Sequence, residues 1–221
     1  KKLSQTCIKN IPLIDLQNFI RDDDPASVSD AIIDICKTLG FFYIYNHGID
    51  DDLINNHMSN IIKFFNLPLT DKLKVDVRQS NAHRGYFPIH AENNDPEISL
   101  DLKEGFDIMA EHDLNHERVI AGKPFYGPNQ WPENIDGFRE VTTLYYERMT
   151  SLSRMIMQAI AVGLKLPRNY FSDKLDGPLA MLRMLHYPPQ TGNITSREVG
   201  TGSHTDYGLI TILTQDENEG L

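Results

Sequence analysis

The chain has 221 residues, 40% of them hydrophobic and 24% charged, the balance of an ordinary globular protein with room for one large domain or two small ones. A formal net charge of −10 argues against a general nucleic-acid or anionic-membrane surface. Cys7 and Cys36 are too few for a disulfide scaffold and read as free thiols; no stretch approaches the roughly 20 apolar residues of a membrane span, so the expected location is cytoplasmic.

Ile11-Pro12-Leu13-Ile14-Asp15-Leu16 is a short apolar run suited to a strand. From Ala26 to Leu39, apolar residues recur at a helical period, and Gly40 supplies the stop. The acidic runs Asp22–Asp24 and Asp50–Asp52 read as helix entries and solvated loop, because the helix dipole favours Asp near an N-terminus. Phe41 to Tyr45 is dense in aromatic and β-branched residues and predicts a buried strand. Asn46-His47-Gly48 then turns the chain into a second helix over about Asp50 to Phe65, which makes His47 a turn residue.

The stretch from Val77 to Asn134 is rich in Asn, Asp, Gly, Pro and His and reads as loops around one strand near Gly105 to Met109. The longest helix is expected from about Pro132 to Gly163, its apolar positions stepping by three and four from Phe138 onward. Strands are expected at Leu179–Tyr187 and Leu209–Leu213. Helices first and strands later define an α+β class, with a helical layer against a β-sandwich.

His204-Thr205-Asp206 sits just ahead of the last of these strands. Two residues apart in extended chain, the imidazole and the carboxylate point to one side and can grip one metal ion. With a further His they would form the 2-His-1-carboxylate face of non-haem iron(II) oxygenases. The H-x-D pair alone is a weak signal, and its setting carries the information. His112 and His116 have the helical spacing of a zinc pair, but Asp113 stands where a general-base Glu would be, in a loop-like stretch. His90-x-Glu92 is a similarly poor metal candidate.

Five blocks in one order resemble the isopenicillin N synthase-like iron(II)/2-oxoglutarate-dependent dioxygenases: Gly40–Ile49, Arg84-Gly85-Tyr86 with Lys103–Asp107, Gly127–Pro132, Leu182–Pro189 and Gly202–Thr211. Within the family, the details look closest to the microbial branch that includes the bacterial ethylene-forming enzyme. The resemblance implies a double-stranded β-helix (jelly-roll) core with an N-terminal helical region and a long backing helix. It divides the chain into a 1–135 N-terminal α/β region with substrate-side loops and a 136–221 segment holding the long helix and the first part of the core. It also implies Fe(II) held by His204 and Asp206 as catalytic and metal residues, with 2-oxoglutarate and O₂ as co-substrates. Tyr187 and Arg183 are implied to reach the co-substrate, and Arg84, Tyr86, Glu104, Phe106 and Tyr207 to border the substrate. Glu104 together with Arg183 suggests a small, amino-acid-like substrate, with no nucleic-acid or membrane partner. The resemblance thereby implies oxidative decarboxylation of 2-oxoglutarate to succinate coupled to oxidation of that small molecule.

Family members carry a third ligand His roughly fifty residues beyond the Asp, followed by an Arg-x-Ser for 2-oxoglutarate. Neither is found between Asp206 and Leu221. The expectation is therefore a chain cut within the jelly-roll core, its C-terminal strands missing, inactive by itself and active as the longer protein. Two alternatives stand beside it: a non-catalytic binding or regulatory protein on the same fold, and an iron oxidase that does not use 2-oxoglutarate, of the isopenicillin N synthase type.

Overall fold

A computed structural model describes residues 11–92, 100–189, 198–202 and 204–218; Cys7 lies outside them. In chain order the elements are β1 (Leu13–Asp15), α1 (Gln17–Ile20), α2 (Pro25–Thr38), β2 (Tyr43–Tyr45), α3 (Asp51–Phe65) and α4 (Leu69–Lys72). After 3-10 turns at Leu73–Val75 and Val77–Gln79 come β3 (Gly85–Phe87), β4 (Leu100–Asp101), β5 (Glu104–Met109), α5 (Glu117–Ile120), α6 (Phe138–Gly163), β6 (Met181–His186) and β7 (Glu198–Val199). The class is α+β, and no described helix is long and apolar enough to cross a membrane.

The described chain forms two compact units, one of residues up to Asp50 with Arg148–Pro178, the other of Asp51–Glu147 with the residues from Leu179 onward. In the first, β1 and β2 pair in parallel, Ile14 opposite Ile44. Asp24 caps α2 by accepting from the Ser27 amide at 3.2 Å, and Pro25 occupies the first helical position, where its missing N–H costs nothing. The helix buries Val28, Ser29, Ile32 and Ile33. Gly40, at φ +80, ends it, its backbone N–H donating a hydrogen bond to the Ile35 carbonyl. His47 is the expected turn residue, its Nδ1 accepting from the Ile49 amide at 3.2 Å. Cys36 is an exposed free thiol.

In the second unit, β3, β5 and β6 form an antiparallel sheet with β5 in the centre, and β4 pairs in parallel with β7. The register sets Tyr86 opposite Phe106, Phe106 opposite Met184, Glu104 opposite His186 and Asp107 opposite Arg183. Since side chains alternate along a strand, Glu104, Phe106, Tyr86, Met184 and His186 share one face, and Asp107 and Arg183 share the other. The first face carries the core, where Phe64, Phe65, Val75, Ile108, Ile135 and Phe138 close over Tyr86, Phe106 and Met184. Phe106 meets Phe64 and Phe138 edge-on, with centroids 4.8 and 5.7 Å apart, the arrangement that suits the ring quadrupoles.

Four expectations need correction. Phe41 to Tyr45 is not a buried strand: Phe41, Tyr43 and Tyr45 are exposed, and β2 belongs to a sheet of two strands among the described residues. The long helix starts at Phe138 rather than Pro132, because Gly137 at φ +72 breaks helical geometry just before it. The stretch from Val77 to Asn134 holds β3, β4 and α5 beside the one expected strand, elements too short to show a period. Leu209–Leu213 is not a strand: no described segment offers it a ladder partner, and Leu209 and Leu213 are exposed.

Candidate metal centre

Polar side chains acting as backbone clamps set the frame around the sheet. Asn129 pairs with both backbone groups of Met109, accepting at 3.1 Å and donating at 2.8 Å, and so closes the end of β5 as a further strand would. Gln130 Nε2 donates to the Arg84 and Asp76 carbonyls at 2.6 and 2.9 Å and ties the entry of β3 to the preceding turns. The Asn-Gln pair of the Gly127–Pro132 block is thus structural.

His204 and Asp206 come together as the H-x-D spacing predicts, with His204 Nε2 3.2 Å from Asp206 Oδ1. His204 Nδ1 lies 2.9 Å from the Gly202 carbonyl, which can only accept, so Nδ1 carries the proton. That tautomer leaves Nε2 as the nitrogen presented toward the carboxylate, the orientation seen when a ligand His is held through its other nitrogen. Asp206 is oriented in turn by Thr211, whose hydroxyl donates to Oδ2 at 2.7 Å. Two ligands each about 2.1 Å from one ion and at right angles lie about 3 Å apart, so the pair fits a single divalent metal. Both side chains are about half exposed, and no group of three His, Cys, Asp or Glu able to hold a metal occurs among the described residues.

Arg183 lies on β6, and Tyr187 follows the strand's end at His186, close enough for the guanidinium to act on its phenol. Arg183 forms a fork with Asp107 and a second with Glu92, at 2.8 and 3.0 Å, so both edges of its guanidinium are engaged by carboxylates. Its plane lies over the Phe87 ring at 5.0 Å. Tyr187 is half-buried beside Gly200, and burial followed by the nearby Asp101 carboxylate raises its phenol above the usual range.

Tyr86, Glu104 and Phe106 occupy the opposite face. Glu104 is buried and accepts from Lys72 at 2.8 Å, from Tyr86 at 2.6 Å and contacts His186 Nδ1 at 2.8 Å. Burial pushes the Glu104 carboxyl up, but Lys72, Tyr86 and His186 together hold it below the ordinary range. The Tyr86 phenol is pushed up by burial and by the same carboxylate. The sheet therefore separates Glu104 from Arg183, and the expectation that the two grip one zwitterion is overturned by strand register. Arg84 is fully buried and donates to the Ala82 and Phe125 carbonyls, both at 2.7 Å; Tyr207 is fully exposed.

Sequence reasoning assigned no role to Asp101, Lys103, Asp107, His186 or Lys72. The alternation of acid and base along Asp101-x-Lys103-Glu104-x-x-Asp107, beside an apolar strand, was the available signal for buried ion pairs. His112 and His116 lie with ring centroids 4.4 Å apart and planes tilted by 48°, and His116 Nδ1 accepts from the Arg118 amide to cap α5.

A His and an Asp brought within 3.2 Å of one another are the chemistry of a candidate metal site, and comparison with known proteins names the family. The profile described as "non-haem dioxygenase in morphine synthesis N-terminal" matches residues 11–134. A homoarginine-6-hydroxylase of Arabidopsis thaliana is 35% identical over 97% of this chain and 67% of its own length. A 2-oxoglutarate-Fe(II) type oxidoreductase of Emericella nidulans is 33% identical over 95% of this chain and 62% of its own. A full-length Neurospora crassa protein, solved in complex with alpha-KG, superposes with a TM-score of 0.67 at 32% identity, covering 80% of this chain and 54% of that one. The chain belongs to the iron(II)/2-oxoglutarate-dependent dioxygenase family, with its α+β jelly-roll fold. It spans about two thirds of the length of the curated relatives it matches.

Proposed function

We propose that the protein is an oxidoreductase that couples decarboxylation of 2-oxoglutarate to O₂-dependent oxidation of a small-molecule substrate, with His204 and Asp206 holding iron(II). The observation that carries this reading is the 3.2 Å approach of Nε2 to Oδ1 with the His204 Nδ1 proton already committed to a carbonyl. Iron(II), when bound, supplies open coordination positions for the 2-oxoglutarate chelate and for O₂. The chain's own residues hold and orient. His204 presents Nε2, Asp206 supplies a carboxylate oriented by Thr211, and Arg183 and Tyr187 are the side chains we assign to a carboxylate of 2-oxoglutarate. An amino-acid-like substrate draws its support from the names of relatives, a homoarginine hydroxylase and a 1-aminocyclopropane-1-carboxylate oxidase of Dictyostelium among them, and not from a Glu104–Arg183 pair.

The test is oxygen-dependent release of succinate by the whole protein with iron(II) and 2-oxoglutarate, beside binding of Co(II) as a silent substitute. His204→Ala and Asp206→Ala should each abolish turnover and weaken Co(II) binding by at least tenfold. Unchanged turnover in either variant would sink the assignment.

A further inference from the structure

Asp101 and Lys103 form an ion pair with almost no contact with water: Asp101 is fully buried, Lys103 is 5% exposed, and Lys103 Nζ reaches Asp101 Oδ2 at 3.1 Å. Removing both charges from water costs several kcal/mol per ion, offset only when close geometry and further hydrogen bonds satisfy the pair. Those further bonds go to the loop that leads into His204. The Gly202 amide donates to Asp101 Oδ1 at 2.9 Å. The Thr201 hydroxyl lies 3.4 Å from Asp101 Oδ2 and 3.3 Å from Lys103 Nζ, so it bridges both charges. The parallel β4–β7 ladder, with Asp101 opposite Val199, brings this carboxylate alongside the chain just before the loop begins.

Gly202 then links the two sites. Its N–H is held by Asp101, and its C=O accepts from His204 Nδ1. The line Lys103, Asp101, Gly202, His204 has the form of a carboxylate–histidine–metal relay in which a backbone residue stands between the carboxylate and the imidazole. We propose that Asp101, neutralised by Lys103, is a positioning residue for the metal centre: by fixing the Gly202 carbonyl it selects the Nδ1–H tautomer of His204 and aims Nε2 at the ion. Asp101 touches neither the metal nor any substrate; it acts through the loop.

The inference rests on His204 being a ligand, but its first test does not require metal. In the metal-free whole protein near pH 8, ¹⁵N NMR of the His204 ring should show the Nδ1–H tautomer, and the Gly202 amide should exchange slowly with solvent. An Nε2–H tautomer, or a Gly202 amide exchanging like an open loop, overturns the proposal whatever becomes of any variant. Asp101→Asn should then mix the tautomers and weaken Co(II) binding roughly 10- to 100-fold, the range for outer-shell partners of metal ligands. A folded Asp101→Asn protein with wild-type tautomer and wild-type Co(II) affinity also overturns it. If instead His204→Ala leaves Co(II) binding intact while the tautomer and the protected amide are as expected, the metal assignment fails and the positioning of His204 by Asp101 stands.

Discussion

Asp107 and Arg183 face each other across β5 and β6 and are joined by two hydrogen bonds, Nε to Oδ1 at 2.9 Å and Nη2 to Oδ2 at 2.7 Å. A fork of this kind fixes the guanidinium plane, and the opposite edge is taken by Glu92. Asp107 is buried, whereas Glu92 is more than a third exposed, so the two pairs differ in strength and the Glu92 contact is the one a ligand can displace.

If Arg183 reads a carboxylate of 2-oxoglutarate, Glu92 competes with it. Glu92→Ala should tighten the apparent Kd for 2-oxoglutarate by about two- to fivefold, the worth of a half-exposed ion pair of up to about 1 kcal/mol. Arg183→Lys should loosen it by at least that factor, since an ammonium cannot reproduce a fork. Isothermal titration of the metal-loaded protein checks both, and unchanged affinity in Glu92→Ala would assign Arg183 to the fold alone.

Glu104 is predicted to matter to stability before it matters to substrate. Glu104→Gln leaves the Lys72 ammonium buried with a neutral partner, and stranding one member of a buried pair costs about 3–5 kcal/mol. Replacing both, as Lys72→Met with Glu104→Leu, should recover more than half of that loss in urea unfolding. A residue serving substrate alone would leave the unfolding midpoint unmoved in all these variants.

Gly85 is required by its backbone. At φ +114 a side chain is strained, and a Cβ there would run into the Val75 carbonyl oxygen and the Gln130 amide. Gly85→Ala should cost about 3 kcal/mol or more, as backbone strain of about 1–3 adds to overpacking of about 1–3. Thermal unfolding about 10 °C lower is the expected reading for a chain of this size.

What could be read from sequence, and what could not, divides along physical lines. The helix from Pro25 to Thr38 announces itself because its buried residues repeat at the helical period, whereas the strand around Phe106 is buried at every position and shows no alternation. His204 and Asp206 were legible because a spacing of two in extended chain is a local geometric fact. The separation of Glu104 from Arg183 was not, because it depends on the register between strands about eighty residues apart in sequence, which no local pattern records. Leu209–Leu213 has the composition of a strand yet pairs with no described segment, since a strand is made by its partner as much as by its residues. The role of Gln130 was hidden for a similar reason: a side-chain amide serving carbonyls some fifty residues away has no sequence signature.

His57 supplies a pH dependence unrelated to the metal centre. It is buried within the second unit, its ring stacked on Tyr145 at 4.0 Å and its Nδ1 3.4 Å from the Thr142 hydroxyl. Burial lowers its pKa from 6.5 to about 4, so the folded protein keeps the ring neutral through the mildly acidic range. Above pH 6.5 neither the folded nor the unfolded chain is protonated there, and the full stability is present. As pH falls below 6.5 the unfolded chain takes up a proton that the folded one refuses, and stability is lost progressively until about pH 4. Between pH 7 and pH 5 the loss from this one group amounts to about 2 kcal/mol. Urea unfolding at those two pH values should show that decrement in the wild-type protein and a smaller one in His57→Gln, whatever its absolute stability. An equal decrement in both proteins would mean that His57 is charged in the folded state and that its burial is relieved by water.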